Sequence, residues 1–88
     1  MKYVLRYETD PDNLHKALEL FEAHAARWAE YASAGTLLAI GPLADRSQAL
    51  GVFTTREALE EFVAGDPFVE HGVVARWDVL EWDEVLLP

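Results

Sequence analysis

Four short strand-like runs and two helix-like segments, in the order strand, helix, strand, strand, helix, strand, predict an α+β fold for this 88-residue chain. Two observations carry the prediction. Apolar residues recur at spacings of three and four between positions 14 and 33. Elsewhere, glycine and proline cut the chain into β-type runs of about five residues. A third observation sets the class. Apolar residues make up 51% and charged residues 26%, with ten aromatics spread along the chain, so disorder is excluded. At this length one domain, residues 1–88, is expected.

The elements follow in order. Tyr3-Val4-Leu5-Arg6-Tyr7 reads as the first strand. Asp10-Pro11-Asp12-Asn13 breaks it and offers helix caps. A helix from about Leu14 to Ser33 carries Leu14, Leu18, Phe21, Ala25, Trp28 and Ala32 on one side, and Gly35 ends it. Thr36 to Ile40 is the second strand, stopped by Gly41-Pro42. Leu43 to Gln48 is a polar loop, and Ala49 to Phe53 the third strand. Thr54 and Glu57 resemble a capping box for a second helix, Arg56 to Ala64, with Leu59, Phe62 and Val63 inward. After Gly65, Asp66 caps a helical turn that has Pro67 at its first position and stops at Gly72. Val73 to Glu84 is the last strand, and Leu86-Leu87-Pro88 a short tail.

This order fits a ferredoxin-like βαββαβ sandwich, in which the helices cover one face of the sheet. The other face should be polar, but the inner strands are apolar on both sides: Leu38 and Ile40 oppose Leu37 and Ala39, and Ala49 and Phe53 oppose Leu50 and Val52. The chain has no spare element to cover that face. A second copy, packed sheet on sheet, is the economical cover, so a homodimer is expected.

Composition excludes several functions. The absence of cysteine removes disulfides, thiolate metal sites and thiol nucleophiles. Sixteen acids against seven bases give a net charge of −9, which repels nucleic acid and anionic membranes. No apolar run is long enough to span a bilayer, and Met1-Lys2 leads straight into a strand without a signal-peptide pattern. The expected location is the cytoplasm.

His24 is the most informative residue. At 100° per residue it falls inside the helix's apolar arc, between Tyr31 and Ala17, while His15 falls on the polar side with Glu19 and Glu22. Beside a carboxylate, such an imidazole keeps one tautomer and serves as a general base. Bonded to a backbone carbonyl, it is a satisfied core residue. Asp66 is likewise a candidate partner or simply a cap. Gly41-Pro42 makes a sharp strand exit suited to a pocket wall, and Trp28, Trp77 and Trp82 are candidate pocket or interface aromatics. His15 and His24 lie on opposite helix faces and cannot share a metal, and no glycine-rich phosphate loop or serine elbow is present.

The stretches His24-Ala25-Ala26-Arg27-Trp28 and Ala34-Gly35-Thr36-Leu37-Leu38-Ala39-Ile40-Gly41-Pro42-Leu43-Ala44-Asp45 together resemble the central signature of the YCII-related (YciI-like) proteins. Asp66-Pro67-Phe68-Val69 with His71-Gly72-Val73-Val74 resembles their second signature, and Val79-Leu80-Glu81-Trp82 is similar as well. The resemblance implies a dimeric α+β barrel and a pocket in which His24 takes the family histidine and Asp66 the aspartate. Trp28, Gly41, Pro42 and Phe68 are the expected substrate-binding residues. A dehydrochlorinase-type lyase acting on hydroxylated aromatics belongs to the family. The implied chemistry is proton abstraction, elimination or isomerisation on a small polar or aromatic molecule, with no metal and no organic cofactor. A non-catalytic metabolite-binding or accessory dimer is the alternative. Many relatives carry an arginine a few residues before the histidine, where this chain has Phe21, Glu22 and Ala23.

Overall fold

A computed structural model describes residues 1–87; Pro88 of the tail lies outside the described residues. Strands β1 (Lys2–Thr9), β2 (Leu37–Pro42), β3 (Gln48–Phe53) and β4 (Val74–Trp82) form one antiparallel sheet in the order β2-β3-β1-β4. Helices α1 (Ala17–Ser33), α2 (Arg56–Ala64) and the four-residue α3 (Pro67–Glu70) complete it. Element order and strand order are those of the ferredoxin-like α+β sandwich. No helix among the described residues is long and apolar enough to cross a membrane.

Local chemistry explains the element ends. Gly35 adopts φ +81°, and the amides of Gly35 and Thr36 return to the carbonyls of Ala32 and Tyr31, a Schellman closure of α1. Thr55 caps α2 by accepting from the Ala58 amide at 3.1 Å, so the cap lies one residue beyond the expected Thr54–Glu57 box. Leu14–Lys16 forms a 3-10 turn rather than the start of α1. Asn13 makes no side-chain cap for it; the Asn13 side-chain amide donates to Asp10 Oδ2 and to the carbonyl of Gly72, tying this turn to the chain before β4.

Leu5, Tyr7, Leu37, Phe53, Leu59, Phe62 and Val63 form the core between the helices and the sheet. Phe62 is its hub, with ring centroids 5.5 Å from Phe53, 5.4 Å from Tyr31 and 6.2 Å from His24. One face assignment differs from expectation. The register slips between Leu37 and Ala39, so Leu37 pairs with Phe53 and Ala39 with Val52. A bulge at Leu38 adds one residue and shifts the alternation, so Leu37 and Ile40 both belong to the helix-covered face.

Among the described residues, nothing covers the opposite sheet face. The register places Val4, Leu50, Val52, Leu80 and Trp82 on it, with Leu50, Leu80 and Trp82 exposed. Paired charges border this apolar band: Arg6 with Asp78 at 2.6 Å and Arg76 with Glu8 at 2.6 Å. The Arg6 guanidinium holds the Asp78 carboxyl below its usual range.

Candidate active site

The expected apolar arc of α1 is only partly sealed. His24 is the one buried residue of the helix, whereas Leu18 and Phe21 are 88% and 55% exposed. Periodicity identified the apolar side correctly, but the first half of α1 stands away from the sheet. Two of the sheet positions facing it are small, Ala49 and Gly51. Without large side chains to fill the gap, a cleft of about 620 Å³ remains, well within the size range of small-molecule sites. Helix-side walls come from Leu14, Ala17, Leu18, Phe21, His24 and Trp28. Leu5, Tyr7, Ile40, Gly41, Pro42 and Ala49 form the floor, and Phe68 closes one side.

Behind His24 lies Asp66, which is completely buried. Its carboxyl faces three donors. Asp66 Oδ1 is 2.8 Å from His24 Nδ1 and accepts the Phe68 amide at 3.1 Å; Oδ2 accepts the Tyr7 hydroxyl at 2.7 Å. An acceptor surrounded this way assigns the proton to His24 Nδ1. In the neutral imidazole Nε2 then carries the lone pair, and it makes no hydrogen bond among the described residues. The Phe68 ring stacks on the imidazole at 3.9 Å with an interplanar angle of 8°, fixing the ring plane. The alternative of a histidine bonded to a backbone carbonyl is not what is found.

The local sequence makes this arrangement. A residue before proline is held extended, and Asp66 has φ −74° and ψ 122°. That conformation, with Pro67 at the first helical position, returns the Asp66 side chain to the Phe68 amide. Capping α3 and orienting His24 are thus two uses of one oxygen.

No sequence-local signal singles out Tyr7. The alternation Tyr3-Leu5-Tyr7 in β1 marks it only as an inward aromatic. Burial, followed by the charge and hydrogen bond of Asp66, pushes its hydroxyl well above the usual tyrosine range, so it remains a donor to Asp66. Arg27 lies outside the cleft lining. It donates from Nε to the Phe62 carbonyl at 3.0 Å and from Nη2 to the Glu61 carbonyl at 2.7 Å, satisfying the end of α2. Trp77 and Trp82 also lie outside the cleft lining. Among the described residues, no group of three or more His, Asp or Glu side chains is placed to hold a metal ion.

The sequence model of the YCII-related domain matches residues 1–83. The chain belongs to the YCII-related domain family. Among solved structures, it is similar to 5-chloro-2-hydroxyhydroquinone dehydrochlorinase (TftG) from Burkholderia phenoliruptrix AC1100, determined in complex with 2,5-dihydroxybenzoquinone. The TM-score is 0.76 at 19% identity over 94% of each chain, a likeness of fold. Rv0793 from Mycobacterium tuberculosis matches with a TM-score of 0.49 at 20% identity over 97% of each chain. No curated protein matches the chain significantly. In this chain His24 and Asp66 are in direct contact.

Proposed function

We propose that this YCII-related protein is a cofactor-independent enzyme of lyase or isomerase type, acting on a small polar or aromatic molecule in the cleft beside His24. The observation that supports it most is an imidazole whose Nδ1 is held by a buried carboxylate and whose Nε2 is unpaired at an apolar cleft. In this reading Nε2 takes a proton from a C–H or O–H of the substrate. The electron pair left behind forms a double bond while a leaving group departs with its own pair, or the proton returns to another carbon. Either course is redox-neutral. Asp66 stabilises the imidazolium that forms, Tyr7 and the Phe68 amide hold Asp66, and Trp28, Gly41, Pro42 and Phe68 bind the substrate. Halogenated hydroxybenzenes are suitable probes, given the substrate named for the similar dehydrochlorinase. Halide release from a panel of them, measured with wild type and His24→Gln, tests the reading. Wild-type turnover that disappears in the variant is the expected result; no release above the buffer rate from any member contradicts it.

The working form proposed is a homodimer with its two open sheet faces packed together, a dimeric α+β barrel. The uncovered band of Val4, Leu50, Val52, Leu80 and Trp82 supports it. Sedimentation at micromolar concentration should give a particle of twice the 9.9 kDa chain mass. A clean monomer contradicts the assembly.

A further inference from the structure

Acids are 16 of the 88 residues, yet no aspartate or glutamate lines the cleft. Among the described residues its only full cation is Arg46, in the loop between β2 and β3. Lys2, Arg6, Arg56 and Arg76 are paired with carboxylates, and Lys16 and Arg27 donate to backbone carbonyls of other segments. Arg46 forms no ion pair among the described residues. Its Nη1 donates to the nearby Leu43 carbonyl at 3.2 Å, leaving most of its five donors without a protein acceptor. The adjacent Asp45 is turned away and accepts from the amide and hydroxyl of Ser47 at 2.9 and 2.7 Å. Arg46 also has φ +65°, the only non-glycine residue in the left-handed region among those described. A residue in a conformation that L side chains rarely adopt thus stands on the cleft wall.

We infer that Arg46 is the anion-recognition residue of the cleft, and that the ligand is a small ring compound carrying one negatively charged oxygen group, carboxylate or phenolate. This rests on the proposed function for the location of the site and adds the substrate's charge. The apolar walls and the aromatic faces of Phe21, Trp28 and Phe68 accept the ring. The guanidinium supplies charge-assisted hydrogen bonds to the oxyanion. On a molecule of net charge −9, a cleft lined by no acid among the described residues repels an organic anion less than an acid-lined surface would.

The test is an NMR titration at low salt. The amides of Gly41 and Gly51 and the indole of Trp28 report on the cleft. Benzoate is compared with benzamide, and 2,4-dinitrophenolate with its neutral methyl ether, 2,4-dinitroanisole. In wild type at least one anion should bind about tenfold tighter than its neutral partner. The pair with the larger preference assigns carboxylate or phenolate. In Arg46→Gln the preference should fall to within about twofold, and Arg46→Lys should keep part of it. Arg46→Gly keeps the loop conformation, since glycine accepts φ +65° without strain, and should also lose the preference. Ring compounds that bind without a charge preference, or a preference that survives Arg46→Gln, overturn the inference and leave the His24 reading standing. If no compound perturbs the cleft signals while His24-dependent halide release is observed, the inference alone fails. If both are absent, both fail.

Discussion

Replacing Asp66 by alanine should destabilise the protein by about 3–5 kcal/mol, among the largest losses a single substitution causes. The Asp66 side chain is fully buried and faces the Tyr7 hydroxyl, the Phe68 amide and His24 Nδ1. Each donor left unsatisfied in the interior costs on the order of 1–3 kcal/mol, and loss of a helix cap about 1 kcal/mol. The contributions overlap, because α3 would shift and water would enter. Asparagine keeps one oxygen for the cap but turns an amide donor toward an existing donor, so Asp66→Asn should cost about 1–2 kcal/mol. Urea unfolding of the three proteins measures both. An alanine variant within about 0.5 kcal/mol of wild type would mean that the three donors find other partners.

His24→Gln should lower the rate of the proposed reaction by about 10²–10⁴, the usual contribution of a positioned general base. Its stability should change little by comparison. Glutamine retains a donor for Asp66, and the main structural loss is the stack on Phe68, worth about 1 kcal/mol. This separation distinguishes chemistry from folding: unfolding curves close to wild type together with lost halide release assign His24 to the reaction. Turnover within about threefold of wild type would place the proton transfer elsewhere.

The two variants probe residues that the sequence exposes unequally. His24 stands out because the α1 apolar arc has no other imidazole, and Asp66 because aspartate before proline is a cap signal. Their contact is not legible: they are 42 positions apart, and only the docking of α3 beside α1 joins them. Tyr7 was hidden for the same reason. Its hydroxyl has no sequence-local partner, since Asp66 lies 59 positions away. The strand and helix order was legible because hydrophobic periodicity and glycine or proline breaks are local.

Finer features depend on tertiary fit. The Leu38 bulge is a matter of register with β3. Exposure of Leu18 and Phe21 depends on how far α1 stands from Ala49 and Gly51, a distance periodicity does not encode. Arg46 read as part of a polar loop because neither its positive φ nor its place on the cleft wall has a sequence mark. Phe21-Glu22-Ala23 of α1 offers the cleft no cation, whereas the β2–β3 loop brings Arg46 to its lining.

The central claim is that Asp66 holds His24 with its proton on Nδ1, leaving Nε2 free as a base at the cleft. Long-range ¹H–¹⁵N correlation of the histidine side chains, under conditions where the imidazoles are neutral, reports this directly. The account predicts a pyrrole-like Nδ1 and a pyridine-like Nε2 for His24, and loss of that fixed tautomer in Asp66→Ala. A neutral His24 protonated on Nε2 would contradict it, because no lone pair would then face the cleft.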